Sequence, residues 1–222
     1  MRFFQHLLAI AAVASFSLMA STAGASPAAP VNGTDYRTLE KAQQTDSGKK
    51  VEVTEFFWYS CPHCEALDPS LAAWVKKNAD KIVFKRVPIA FRDSFIPQQK
   101  LYYTIEALGL IDTLHPRVFR AIHVERQTLD TDKQILDFVA KQGVDAKKFA
   151  ETYNSFGVQT KVGRATQLQA AYKVDGVPMI AIDGRYVTSP AIVGAALGNR
   201  PESVLHEATL QVMDHLLAKA AK

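Results

Sequence analysis

Residues 50–64 read KVEVTEFFWYSCPHC, an apolar and β-branched run that ends in two cysteines. The valines and aromatic residues of 50–59 favour a buried strand, which we expect to be central and parallel in its sheet. From residue 65 to about residue 78, apolar residues recur at spacings of three and four, which is typical of a helix. Cys61 and Cys64 are therefore predicted to lie where a strand ends and a helix begins.

The pattern changes twice along the rest of the chain. Residues 81–89 predict a second strand, so the chain begins with a βαβ unit. Residues 91–159 carry helical patterns, whereas residues 177–187 return to strand around an Asp183-Gly184 pair, a strong hairpin signal. We therefore expect an α/β fold with a helical insertion. The predicted helices of the insertion and beyond span residues 98–108, 116–124, 131–141, 145–154, 160–172 and 201–220.

The first 25 residues differ from the rest in composition. Arg2 is their only charged residue, and an apolar run ends in Ala23-Gly24-Ala25, the A-x-A pattern at which signal peptides are cleaved. We expect residues 1–25 to be a cleaved signal peptide, with an uncleaved membrane anchor as the alternative. Export would bring the protein into an oxidising compartment.

The composition excludes several classes of protein. Of 222 residues, 48% are hydrophobic and 22% are charged, which is typical of a globular chain and not of a collagen or a disordered one. The net charge is only +4, and basic residues alternate with acidic ones instead of forming patches. We therefore expect no binding to nucleic acid.

Both cysteines of the chain lie in one motif, Cys61-Pro62-His63-Cys64. A thiolate at Cys61 would lie at a helix N-terminus, where free N–H groups favour negative charge, and a protonated His63 would add to the effect. We expect Cys61 to be an acidic and accessible nucleophile. Cys64, one turn into the helix, is expected to be more buried and to attack a mixed disulfide, which releases the substrate.

Three other uses of a cysteine pair fit less well. Covalent haem attachment requires a histidine directly after the second cysteine, where this chain has Glu65. A structural disulfide across so short a loop would constrain the unfolded chain very little. A zinc site needs four ligands, and the histidines offer no suitable pair, so no metal is expected. The histidines are His6, His63, His115, His123, His206 and His215.

Residues 55–64, 176–178 and 183–186 together resemble the DsbA-type family of periplasmic thiol:disulfide oxidases. Cys-Pro-His-Cys is the motif of that family, whereas thioredoxins have Gly-Pro between the cysteines. The resemblance covers most of residues 35–220. It implies a thioredoxin fold interrupted by an all-helical insertion domain.

The expected domain boundaries combine this resemblance with the helical patterns. Residues 26–90 and 160–222 would form the two parts of the thioredoxin domain, and residues 91–159 the insertion. The resemblance also implies that Val177-Pro178 is a cis-proline loop that faces the cysteines and binds extended substrate. An ordinary trans-proline at the start of an edge strand is the alternative.

Glu55 is an acid within an otherwise apolar strand. Such a carboxyl group should have a raised pKa, as a proton shuttle requires. By resemblance, it is the buried acid that assists proton transfer at Cys64, whereas an outward-facing edge glutamate is the structural alternative. In the family a lysine on the next strand lies near this acid, but here Phe84, Lys85 and Arg86 compete for that place.

These observations predict an exported protein-disulfide oxidoreductase that donates its Cys61–Cys64 disulfide to newly secreted, unfolded proteins. No cofactor beyond this disulfide is expected. By resemblance, a DsbB-type quinone-linked membrane protein reoxidises the pair. We expect a periplasmic monomer. A disulfide isomerase or reductase is the alternative within enzymes, and a chaperone-like peptide-binding module is the alternative outside them.

Overall fold

The structure, a computed structural model, describes residues 29–221. The predicted signal peptide at 1–25 lies outside the described residues. Within them, no helix combines the length and the apolar character needed to cross a membrane.

One mixed sheet of five strands organises the fold, in the order β1-β5-β4-β2-β3. Strand β2 pairs in parallel with β3, as the βαβ prediction required, but it runs antiparallel to β4 on its other side. It lies inside the sheet, and all seven of its residues are buried. The strands are β1 Arg37–Thr38, β2 Val51–Phe57, β3 Ile82–Pro88, β4 Met179–Ile182 and β5 Tyr186–Thr188.

Eight α-helices and one short 3-10 helix, Asp93–Phe95, complete the described part of the chain. Helix α1 is continuous through Pro69. The predicted start at residue 116 is wrong, since α3 begins at Ile111 and Pro116 lies inside it. Leu114 and Val118, one turn apart, are both buried, so the apolar stripe extends across the proline. The helices are α1 Pro62–Lys77, α2 Ile96–Ala107, α3 Ile111–His123, α4 Asp132–Lys141, α5 Ala146–Tyr153, α6 Phe156–Ala171, α7 Pro190–Leu197 and α8 Glu202–Ala220.

Two of these helices depart from the sequence-based expectations. The short helix α7 was not expected from the sequence. The side chain of Ser189 caps its start and accepts a hydrogen bond from the Ile192 N–H. Helix α6 spans Phe156–Ala171 and so runs across residue 159, the expected end of the insertion. The domain boundaries themselves stay predictions.

The sheet separates two apolar cores. On one face, Val53 and Ile180 pack in the same cluster as side chains of α1 and α8. On the other face, Phe56 and Met179 belong to a cluster that includes residues of α2–α6. Because side chains alternate along a strand, Glu55 shares the face of Val53 and points towards α1.

The β4–β5 hairpin turns where the Asp-Gly pair predicts. Asp183 and Gly184 have φ values of 54° and 63°, and the Arg185 N–H donates to the carbonyl of Ile182. A Cβ atom at Gly184 would lie 2.2 Å from the main-chain oxygen of Gln43. Only glycine therefore fits both the turn and this close approach.

Candidate active site

Cys61 caps the N-terminus of α1, directly after the loop that leaves β2. It has an extended conformation, and Pro62 takes the first helical position, where its missing N–H leaves no hydrogen bond unmade. The Cys61 carbonyl accepts hydrogen bonds from the N–H groups of Cys64 and Glu65. The predicted position of the motif, between strand and helix, is confirmed.

The two cysteines are free thiols with different surroundings. The pKa of Cys61 falls to about 6, because the Cys64 thiol donates a hydrogen bond to it; the N–H groups of Cys64 and His63 and the charge of His63 contribute, against the effect of burial. Burial raises the pKa of Cys64, and the hydrogen bond and charge of Cys61 raise it further. The first thiol is therefore the acidic one.

One expectation about Cys61 needs correction. Only 7% of its surface is exposed, so it is not a freely accessible side chain, although Cys64 is completely covered. The covering atoms include the carbonyl oxygen of Val177, which lies 3.4 Å from the Cys61 sulfur and accepts its hydrogen bond. The Val177–Pro178 peptide bond is cis, and this loop faces the cysteines as expected.

His63 projects from the motif into solvent, with 66% of its side chain exposed. Its Nδ1 atom lies 2.7 Å from Oε1 of Glu202, the first residue of α8. This hydrogen bond raises the pKa of His63; the charges of Glu202 and Cys61 act in the same direction, and burial opposes them. Sequence analysis missed Glu202, because nothing in the local pattern relates two residues so far apart in the chain.

Glu55 is buried, with 1% of its surface exposed, so the interpretation as an outward-facing edge glutamate is wrong. Burial raises its pKa to about 7, against the lowering effect of the Arg86 charge. Its Oε2 atom accepts a hydrogen bond of 2.8 Å from Nε of Arg86, the residue opposite it on β3. Arg86 is thus the basic partner, while Lys85 pairs with Glu52 on the other face.

The Glu55–Arg86 pair belongs to a larger buried network. The second arm of Arg86 donates to Asp68 on α1 at 2.8 Å, and Nε2 of His115 lies 3.3 Å from the same oxygen. The other ring nitrogen of His115 lies 2.8 Å from the Tyr59 hydroxyl. Burial lowers the pKa of His115, so a neutral ring can donate to Asp68 and accept from Tyr59. We call these five residues the buried charge cluster.

Two hydrogen bonds connect the inserted helices to the loop before the cysteines. Nε2 of His123 on α3 donates to the carbonyl of Tyr59 at 2.8 Å. Gln98 on α2 donates to the Ser60 hydroxyl at 2.7 Å. Sequence analysis names no partner for His115 or His123, because helical spacing alone does not identify partners on another element.

The arrangement supplies what thiol–disulfide exchange requires. An acidic thiol lies at a helix N-terminus beside a covered partner thiol, a backbone carbonyl faces it, and an acid with a pKa near neutrality lies behind it. Among the described residues, no group of three or more histidine, cysteine or acidic side chains is arranged to hold a metal ion. The predicted residues of the motif, Val177, Pro178 and Glu55 converge here, and their individual roles stay predictions.

Comparison with known proteins agrees with this geometry. Residues 52–208 match the DSBA-like thioredoxin domain family. The chain is 45% identical over 204 residues to the thiol:disulfide interchange protein DsbA of Burkholderia cepacia, covering 91% of this chain and 92% of that protein. It is 41% identical to the protein of the same name from Bordetella parapertussis, over 99% of this chain and 98% of the other.

Comparison with solved structures supports the same family fold. The crystal structure of Pseudomonas aeruginosa DsbA matches with a TM-score of 0.78 and 34% identity, covering 86% of this chain and 94% of that one. The predicted thioredoxin fold with a helical insertion is thereby confirmed. The chain belongs to the DsbA family and is a protein thiol:disulfide oxidoreductase.

Proposed function

We propose that this oxidoreductase acts as a dithiol oxidase in the periplasm, with Cys61 as the residue whose sulfur exchanges with substrate. The observation that carries the proposal is the low pKa of Cys61, about 6, at the N-terminus of α1. A thiolate that is stable leaves readily, and a disulfide whose reduced form is stabilised is a strong oxidant. Because the Cys61 thiolate is stabilised, the protein is expected to transfer its disulfide to substrate thiols. The opposite reaction, in which the reduced protein reduces substrate disulfides, is disfavoured.

The reaction has two exchange steps. A substrate thiolate attacks the Cys61 sulfur of the Cys61–Cys64 disulfide, forms a mixed disulfide and releases Cys64. A second substrate thiolate then attacks the substrate sulfur of the mixed disulfide and releases Cys61 as a thiolate. Two electrons pass from substrate to protein, the substrate gains a disulfide, and Cys64 takes up a proton because its pKa is high.

Glu55 is the proposed source of that proton. Its pKa of about 7 lets it hold and release a proton near neutral pH. The negative charge of Glu55 contributes, after burial and the effects of Cys61, to the raised pKa of Cys64. Arg86 stabilises the carboxylate form of Glu55 after the proton has left.

The remaining roles concern substrate and location. Pro62 shapes the helix start, His63 supplies positive charge, and the backbone of Val177 beside Pro178 pairs with an extended peptide. The substrates would be unfolded exported proteins with cysteines, and a DsbB-type membrane protein would reoxidise the pair. Residues 1–25 would direct export and be removed. The chain would act as a monomer that needs no cofactor besides its disulfide and binds no nucleic acid.

Trapping with single cysteine variants tests the assignment of the two thiols. Cys64→Ser should accumulate mixed disulfides with a peptide that contains a disulfide, because the Cys61 thiolate displaces one peptide thiol and no Cys64 is present to release the other, whereas the matched Cys61→Ser should accumulate none. Iodoacetamide at limiting concentration should modify Cys61 of the reduced protein before Cys64. Equal labelling, or trapping through Cys64, would contradict the proposed mechanism.

Unfolding of the two redox forms tests the direction of the reaction. The Cys61 pKa is lowered from 9.0 to about 6, so the folded protein forms the thiolate at a lower pH than the unfolded chain does. The free energy of unfolding of the reduced protein should therefore rise as pH rises from 6 to 9, and this gain is lost as pH falls through 6. Relative to the oxidised protein, the reduced protein should gain up to about 4 kcal/mol across this interval. Urea unfolding of both forms at several pH values measures it. An oxidised form that stays the more stable at pH 8 would favour a reductase.

A further inference from the structure

Glu202 connects the C-terminal helix α8 to the cysteine motif. It is the first residue of α8, and its carboxylate lies 2.7 Å from Nδ1 of His63, which directly precedes Cys64 in the chain. Both side chains are partly exposed, at 46% and 66%. A carboxylate is favoured at a helix start, because the free N–H groups there stabilise negative charge. The pair therefore joins two helix N-termini, those of α1 and α8.

A second histidine lies near the same carboxylate oxygen. Nε2 of His206, one turn along α8, is 3.6 Å from Oε1 of Glu202. Burial lowers the pKa of His206, of whose side chain only 9% is exposed, and so disfavours its charged form. The titratable groups that surround His63 are thus Cys61 on its own helix, with Glu202 and His206 on α8.

We propose that Glu202 is a positioning residue for the redox reaction, which fixes the His63 ring and favours its positively charged form beside Cys61. The inference rests on the role of His63 in the proposed function. Glu202 acts through the imidazole, to which its carboxylate is hydrogen-bonded. The reactivity of Cys61 would then depend on α8, an element outside the motif and outside the inserted helices.

The expected pH dependence follows from the direction of each effect. The hydrogen bond to Glu202 raises the pKa of His63, so the imidazolium is present below that raised pKa and is lost as pH rises through it. Without the carboxylate, His63 would lose its proton at lower pH. The Cys61 thiolate would then lack its positive neighbour under conditions in which the unaltered protein retains it.

The first experiment compares Glu202→Gln with Glu207→Gln, which removes the same charge from an exposed position on the same helix. The imidazole carbon-bound protons of His63 are followed by NMR in the reduced protein as pH is varied. We expect the titration midpoint of His63 to shift downward in Glu202→Gln and to stay unchanged in Glu207→Gln. An unshifted midpoint in Glu202→Gln would overturn the proposal.

The second experiment is a double-mutant cycle with His63→Ala, read out by the equilibrium of the Cys61–Cys64 pair with glutathione. At a pH between the His63 titration midpoints of the two proteins, Glu202→Gln should shift this equilibrium towards the disulfide, and the shift should be smaller at a pH below both midpoints. In the His63→Ala background, the same substitution should leave the equilibrium unchanged. An equal shift with and without His63 would show a direct effect on Cys61 and overturn the inference. Failure of the proposed function itself would appear separately, as an unaltered protein that does not oxidise a dithiol peptide.

Discussion

The two sides of the cysteine motif carry ion pairs of almost the same geometry in opposite surroundings. Behind Cys64, Arg86 lies 2.8 Å from Glu55, with 11% and 1% of their side chains exposed. Beside Cys61, His63 lies 2.7 Å from Glu202, and both remain in contact with water. Water screens an exposed pair and also solvates its partners once they are separated, whereas a buried charge that loses its partner has no such compensation. Distance alone therefore says little about how strongly a pair contributes.

The largest expected effect comes from the buried side. Arg86→Met removes the arginine of the buried charge cluster and leaves the carboxyl groups of Glu55 and Asp68 without its hydrogen bonds. We expect the free energy of unfolding to fall by about 3–5 kcal/mol. Urea unfolding at pH 8 measures the change.

An exposed pair supplies the control for that measurement. Lys133→Met breaks an ion pair with Asp137 on α4 whose side chains are 84% and 58% exposed. The expected loss is below about 1 kcal/mol. Similar losses in the two variants would mean that burial does not distinguish these pairs.

Glu55→Gln sharpens the comparison through its pH dependence. The pKa of Glu55 is raised from 4.5 to about 7, so as pH rises between these values the unfolded chain releases a proton that the folded protein keeps. The stability of the unaltered protein should therefore fall with rising pH, by about 3 kcal/mol relative to the variant. Unfolding curves at pH 4.5, 6 and 8 test this. A constant difference between the two proteins would show that Glu55 does not titrate in this interval.

A smaller effect is expected from the neutral end of the buried charge cluster. Tyr59→Phe removes the hydroxyl that lies 2.8 Å from Nδ1 of His115 and leaves that nitrogen buried without its partner. The expected loss is about 1–3 kcal/mol, the usual effect of one unsatisfied buried group. Thermal unfolding at constant pH measures it, and a stability equal to that of the unaltered protein would show that water replaces the hydroxyl.

The smallest effect on stability belongs to the exposed side. Glu202→Gln should change the free energy of unfolding by less than about 1 kcal/mol, because the pair with His63 is solvated. Its effect on redox equilibrium should still be measurable, since His63 lies next to a titrating thiol. A loss as large as that of Arg86→Met would contradict the distinction between the two sides.

Much of the fold follows from local sequence. The strand before Cys61, the helix after it and the Asp183-Gly184 hairpin are all found where periodicity and turn residues predict them. The predicted start of α3 is wrong, because a proline inside a helix resembles one at its first turn. Helix α7 is missed since its apolar residues show no clear periodic stripe within eight residues.

The candidate site also has a part that could be predicted from the sequence and a part that could not. The cysteine motif could be identified from the chain itself, because it lies between a recognisable strand and helix, whereas the Val177-Pro178 loop and the role of Glu55 were expected from the family resemblance. The choice of Arg86 over Lys85 depends on strand register, which places Arg86 opposite Glu55 and sends the neighbouring side chain to the other face. Asp68, His115 and Glu202 come from separate helices, and only their packing brings them to the motif.

The hydrogen bonds from the inserted helices to the loop before Cys61 bear on how this protein can change over evolution. His123 binds the Tyr59 carbonyl, and Gln98 binds the Ser60 side chain. An insertion that only covered the sheet could be shortened or exchanged without altering the catalytic loop. Here α2 and α3 are hydrogen-bonded to residues 59–60, so we expect a change in these helices to alter the loop that carries Cys61 as well.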